Sequence, residues 1–225
     1  MNRFKILSVC AYMAFCMGFV SCNVDEPCDT GENSASSGFG VTNEKEVDLG
    51  LPSGTIWAGW NVGATAPEES GCSYVWGELE EFEPQNESTY DVDINSLPSN
   101  ISGTQYDVAR YKWGGNWRMP TKDDWKELFF SCISFVMHYK GVNGCYFIGP
   151  NGNSIFLPIV KASYWGYDDD YYFSPRYWTA NKGISGRVID IDFEEYDDSS
   201  EWEHVCSEVD YDETYIRGVR PVKSK

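Results

Sequence analysis

Apolar and polar positions alternate with several different periods along this chain, and each stretch predicts a different kind of structure. Ile6 to Val20 is a fifteen-residue apolar run broken only by Ser8 and Gly18, and Arg3 and Lys5 precede it. A run of that length suits the middle of a secretory signal and falls short of the roughly 20 residues a membrane-spanning helix needs. From Asn23 to about Glu44, Gly, Ser, Asn and acidic residues dominate. Such a stretch buries too little surface to offset its ordering entropy, which predicts a flexible tether. Folded structure is expected from about Val47, where aromatic residues become dense and suit a core of short strands and long packed loops.

Within that region one main helix is signalled. Thr121 can cap it, Asp124 stands three residues on in capping-box position, and Trp125, Leu128, Phe129 and Cys132 recur at helical spacing. A hairpin is expected next, with Cys145 to Ile148 and Ser154 to Leu157 flanking the turn formers Gly149 to Asn153. Ile189, Ile191 and Phe193 alternate with Asp190, Asp192 and Glu194, the pattern of a strand with one buried and one wet face. Tyr215 to Val222 reads as the final strand. No stretch repeats at a solenoid or propeller period. The fold class is therefore α+β.

Charge and cysteines narrow the function. The net charge of −18 becomes −20 once Arg3 and Lys5 leave with the leader. That excludes nucleic acid as a partner, because a phosphate backbone demands a basic footprint. It also disfavours docking on anionic headgroups, so any tie to a membrane runs through a lipid anchor alone. Of eight cysteines, Cys10 and Cys16 lie in the leader and Cys22 at its end. Cys28, Cys72, Cys132, Cys145 and Cys206 remain, an odd number that allows at most two internal bridges. No pair has the Cys-x-x-Cys spacing of a zinc or redox site.

Val20-Ser21-Cys22 resembles the lipobox of bacterial lipoproteins, whose cysteine is lipidated and becomes the new N-terminus. An ordinary signal peptide or an uncleaved anchor is the alternative. Asp25-Glu26 resembles the acidic export signal of surface lipoproteins in Bacteroidota, or is simply an acidic linker. The expected organisation is a lipoprotein signal at 1–21, a tether at 22–45 and a folded domain at 46–225.

Six blocks in that domain carry a further resemblance. They are Val47 to Ala58 with Asn61 to Ala64, Tyr74 to Glu78, Gly103 to Ala109, Trp113 to Thr121, Tyr177-Trp178, and Gly218 to Val222. The ordered set resembles the Fibrobacter succinogenes major paralogous domain, common in surface lipoproteins of Bacteroidota, across nearly the whole mature chain. More distantly, Arg118-Met119-Pro120-Thr121 before Trp125 and the closing Gly-Val-Arg look like the formylglycine-generating enzymes. That link implies a C-type-lectin-like fold: a small twisted antiparallel sheet with one main helix and long irregular loops. Pro120 lacks a backbone donor and disfavours helix at Met119, so it marks the start of the helix. Arg118, beside a tryptophan-rich stretch, suggests a guanidinium stacked and paired to hold loops together. Trp117, Arg118, Pro120, Thr121 and Trp125 are accordingly expected to be structural. Trp60 stands where the family usually has a cysteine before Asn-Val-Gly-Ala, so its usual partner, placed at Cys132, must stay free or pair elsewhere.

Catalysis finds little footing. The formylglycine-generating enzymes hold copper through two cysteines before their closing strand, whereas here only Cys206 falls between Tyr177 and Val222. His138, read as a helix histidine, and His204 lie far apart with no nucleophile motif beside either, and a Gly-x-Ser-x-Gly elbow is missing. Binding has more. Trp165, Tyr167, Asp168, Asp169, Asp170, Tyr171 and Tyr172 form a candidate ligand-binding loop. Flat rings give sugars or peptides a large contact at small entropy cost, and carboxylates accept from hydroxyls. The alternative is a loop whose rings fold back on the sheet. No cofactor is expected, and calcium is the one ion left open, at Asp190, Asp192 and Glu194 or in the aspartate loop. A strand spaces same-face residues by about 7 Å, which favours a plain solvated face for the former. Glu83-Pro84-Gln85 resembles a lectin tripeptide, but no Trp-Asn-Asp follows. The sequence thus points to an outer-membrane, surface-exposed lipoprotein that binds glycan or protein ligands without being an enzyme. A structural or cap component of a surface appendage is the alternative, and an unrecognised enzyme comes third.

Overall fold

The computed structural model describes residues 40–82, 92–159, 176–183, 188–195, 202–205 and 216–225. In chain order the elements are β1 (Glu46–Asp48), β2 (Ile56–Ala58), β3 (Tyr74–Val75), a 3-10 turn (Ile94–Ser96), α1 (Val108–Trp113), α2 (Lys122–Ser131), β4 (Ile133–Tyr139), β5 (Val142–Ile148), β6 (Ser154–Pro158), β7 (Arg176–Lys182), β8 (Val188–Glu195), β9 (Trp202–Val205), β10 (Ile216–Arg217) and β11 (Val222–Lys223). The strands form small antiparallel sheets ordered β1-β2-β11, β10-β3, β4-β5-β6 and β7-β8-β9. Mixed helix and antiparallel sheet is the α+β class that the patterning predicts.

Local signals gave α2 its limits. The Thr121 side chain accepts from the Asp124 amide at 3.2 Å, and the Thr121 amide donates to the Asp124 carboxylate at 2.7 Å, closing the expected capping box. The helix stops at Cys132, whose backbone is extended. The next residues, Ile-Ser-Phe-Val-Met-His-Tyr, are rich in β-branched and aromatic side chains, which suit a pleated surface. His138 therefore lies on strand β4 and not in a helix, exposed, with Nδ1 2.9 Å from the Asn143 side-chain oxygen. A second helix, α1, joins the one expected. Its six residues are too few to display a period, and the Asp107 side chain caps it by accepting from the Arg110 amide.

The expected hairpin is β5–β6, with Cys145 opposite Leu157 and Ile148 opposite Ser154. Its tip is held by Asn151 and Asn153, whose side-chain amides both donate to the Asp48 carbonyl, at 2.7 and 2.8 Å. Gly149 is required there, because a Cβ would stand 2.1 Å from the Leu49 carbonyl oxygen. The alternating run at 189–193 lies in β8, whose register sets Ile191 opposite Tyr177 and Asp190 opposite Trp178. Phe39 to Lys225 form one compact unit. Gly40 to Lys45, placed by the sequence in the tether, adjoin the sheet: the Gly40 carbonyl accepts from Tyr146 and Ser154 hydroxyls, both at 3.0 Å.

The final strand departs from expectation. Tyr215 to Val222 is not one strand, since β10 pairs with β3, β11 pairs with β2, and Gly218 to Pro221 break the run between them. Arg220 in that break is fully buried, and its guanidinium donates to the Asn61 side chain at 2.8 Å and to the carbonyls of Ala58 at 3.1 Å and Phe156 at 2.8 Å. Pro221 has no amide to extend a ladder.

Strand β7 separates two apolar clusters. Successive strand residues point to opposite faces, so Tyr177 enters one cluster with Trp57, Trp125, Leu128, Phe147 and Val222, while Trp178 enters the other with Tyr74, Trp76, Ile101, Met119 and Val219. Indole N–H groups lock the second cluster reciprocally. Trp76 donates to the Thr179 carbonyl at 2.8 Å and Trp178 to the Tyr74 carbonyl at 2.7 Å.

Candidate functional site

The Trp113–Thr121 segment, the centre of the sequence pattern, is pinned at both ends. Arg118 exchanges two backbone bonds of 2.9 Å with Val222, and the Pro120 carbonyl accepts from the Ala180 amide at 2.8 Å. The Arg118 guanidinium grips Asp124 in a two-pronged pair, at 2.7 and 2.8 Å. Asp107 is buried and accepts from the amides of Gly103, Met119 and Arg110, at 2.7, 2.8 and 3.0 Å. Trp117 and Trp125 are both buried, and Trp125 meets Trp57 edge to face at 4.8 Å. These groups tie helix to loops.

Two carboxylates in this node respond to pH with opposite signs. Burial raises the Asp124 pKa, but the bonds from Arg118 and Thr121 outweigh it, and the group titrates below the ordinary aspartate value. Its stabilisation is therefore complete above the unfolded pKa and is lost as pH falls through the lower, folded one. Burial dominates at Asp107 and outweighs its backbone donors, so its pKa is raised and stability gains as pH falls through that window. Asp124→Asn is expected to cost about 2–4 kcal/mol at pH 7, because it leaves Arg118 without its partner. In urea titrations the gap to the parent protein should close as the pH drops below the carboxylate range. A gap independent of pH would mean that the pair's charge contributes nothing.

The same segment lies along the wet side of the β1-β2-β11 sheet. Two ion pairs cross the middle strand there, Glu46–Lys223 at 2.5 Å and Asp48–Lys225 at 2.8 Å, and with Ile56 and Ser224 they line an open groove. Beside them Trp113 and Trp117 stand perpendicular, 5.0 Å apart, with the Lys45 ammonium 4.4 Å from the centre of the Trp113 ring and Lys223 5.1 Å from that of Trp117. Trp113 is half-buried and Lys45 exposed. The sequence places Trp113 and Arg220 within the resembling blocks without giving either a role, and does not single out Lys45. Lys45 meets Trp113 only through tertiary contact, which no local pattern announces.

The candidate loop residues Trp165, Tyr167, Asp168, Asp169, Asp170, Tyr171 and Tyr172 lie outside the described residues, as do Cys22, Cys28, Cys206 and the Glu83-Pro84-Gln85 tripeptide. The side chains of Asp190, Asp192, Glu194 and His204 lie outside them too. Among the described residues no group of three or more His, Cys, Asp or Glu side chains gathers as a metal site, and no helix is long and apolar enough to cross a membrane. Cys72, Cys132 and Cys145 are free thiols. Burial pushes the Cys132 thiol up to about 12 and raises Cys145 as well, which keeps both protonated and unreactive. No protein-family model, no curated protein and no solved structure matches the chain.

Proposed function

We propose that this chain is a lipid-anchored cell-surface module of the C-type-lectin-like class that binds glycan or protein ligands without catalysis. The observation that carries the reading is the division of labour in the folded unit. The half-buried Arg118 and the buried Asp124, Asp107 and Arg220 are committed to joining loops, while Trp113 and the exposed Lys45 stand beside the β1-β2-β11 sheet. The fold assignment is supported by first and last strands closing on one sheet, by α2 packed beside it, and by long connections between short strands. The leader pattern ending at Cys22 supports the lipid anchor, and the acidic surface supports attachment through acyl chains alone. The loop from Trp165 to Tyr172 is the second surface this reading assigns to recognition, with calcium as its candidate ion.

The test has two arms. Cys22→Ala should release the protein from membranes or stall its processing, and unchanged acyl labelling would remove the anchor from the reading. A glycan and host-protein array probed with soluble residues 40–225, with and without calcium, should give binding to a defined ligand class. Silence on both halves of the array, with co-purification of a polymer instead, would favour an appendage component.

A further inference from the structure

With 35 acidic residues against 17 Lys and Arg, exposed cations on this chain should find carboxylates nearby. Around the three-stranded sheet most do: Lys112 pairs with Glu80, Lys223 with Glu46 and Lys225 with Asp48. Lys45 and Arg110 are exposed and take part in none of the ion pairs of the described residues. Both belong to the surroundings of one ring. Lys45 lies over Trp113, and Arg110 precedes Trp113 by three positions on α1, which sets the two on the same side of the helix. The Lys45 backbone is fixed by a bond from the Gly59 amide, and the ring is braced by Trp117. Next to the ring, Gly114 and Gly115 adopt left-handed conformations, at φ 68 and 59, with open space where side chains would stand. Asn116 is exposed just beyond them.

We propose that Trp113, Lys45, Arg110 and Asn116 form a binding site for an acidic saccharide, a glycan bearing a uronate- or sialate-type carboxylate. The inference rests on the binding-module reading above and uses none of the residues from Trp165 to Tyr172. A pyranose ring presents a CH face that fits an indole, and its carboxylate fits a pair of cations that no carboxylate among the described residues pairs. An exposed ammonium–indole contact is weak, so Lys45 moves from the ring to the incoming carboxylate at little cost. The side-chain-free surface of Gly114 and Gly115 lets a saccharide chain run past the ring, and the Asn116 amide is placed to bond hydroxyls. Elsewhere the surface is strongly acidic and repels a polyanion, which confines binding to this face and makes it sensitive to salt.

The experiment titrates the detergent-solubilised full chain with oligogalacturonate, with cellohexaose as the neutral comparison and oligoglutamate as an acidic peptide. Oligogalacturonate alone should bind, and affinity should fall about tenfold or more between low and high salt, since cation–carboxylate contacts are screened. Trp113→Ala should abolish binding. Because that ring is half-buried, the exposed pair Lys45→Gln, Arg110→Gln provides the independent check: unchanged melting temperature, affinity down by about tenfold or more, and a flatter salt dependence. Equal binding of cellohexaose or of oligoglutamate, or full affinity in the double variant, overturns the site. A chain that bound a neutral glycan or a protein but not oligogalacturonate would keep the binding-module reading and lose this inference. A chain that bound nothing would lose both.

Discussion

Arg220→Ala is expected to leave the domain largely unfolded at 37 °C. The guanidinium is fully buried, and truncating it strips three acceptors of their donors: the Asn61 side chain and the carbonyls of Ala58 and Phe156. Each buried group left without a partner costs about 1–3 kcal/mol. Together they approach the whole stability of an ordinary domain, about 5–15 kcal/mol. Burial lowers the Arg220 pKa to about 10, still well above neutrality, so a charge is held here by dipoles and by the nearby Tyr177 hydroxyl, with no carboxylate of the described residues in contact. Arg220→Lys would keep the charge but not the planar fork that reaches two strands and a loop at once. It should recover only part of the loss. Urea denaturation followed by tryptophan fluorescence gives the comparison, and a lysine variant as stable as the parent would show that charge, not geometry, holds the junction.

Trp125→Ala should cost about 3–5 kcal/mol, the usual range for deleting a buried aromatic side chain. Trp125 is completely buried at the centre of the first cluster, within 4.8 Å of Trp57, 5.7 Å of Tyr177 and 5.9 Å of Phe129 between ring centres. It joins α2 to Trp57 on β2 and to Tyr177 on β7. Its indole N–H has no partner, and neither does that of Trp57, so Trp125→Phe discards an unsatisfied donor along with some volume. The phenylalanine variant should therefore lose less than half of what alanine loses. Thermal melts of the two variants decide this. Equal losses would mean that shape alone matters at this position.

What the sequence disclosed was local. The α2 start was readable because Thr121 and Asp124 act on each other within one turn, and the β5–β6 hairpin because turn formers sit between two apolar runs. Contacts between distant segments were not readable. Nothing near Arg220 announces Asn61 and Phe156, and without them Tyr215 to Val222 reads as one continuous strand. The helical period from Trp125 to Cys132 masks the strand-forming run that follows it, which is how His138 comes to read as a helix residue beyond the end of α2. At the candidate site the aromatic residues were visible in the Trp113–Trp117 segment, but they read as scaffold. The cation over Trp113 comes from a residue far away along the chain.

The pairing of β11 with β2 sets Val222 beside Trp57, so the last strand closes a sheet begun by the first. Contacts between residues so far apart form late, since loop-closure entropy must be overcome before they stabilise anything. A chain that emerges from its N-terminus therefore cannot complete this core until β11 has followed. Until then β2 lacks one neighbour, and Trp57, Arg118 and the Arg220 junction lack their partners. Interrupted or clipped products would expose that open sheet edge to proteases.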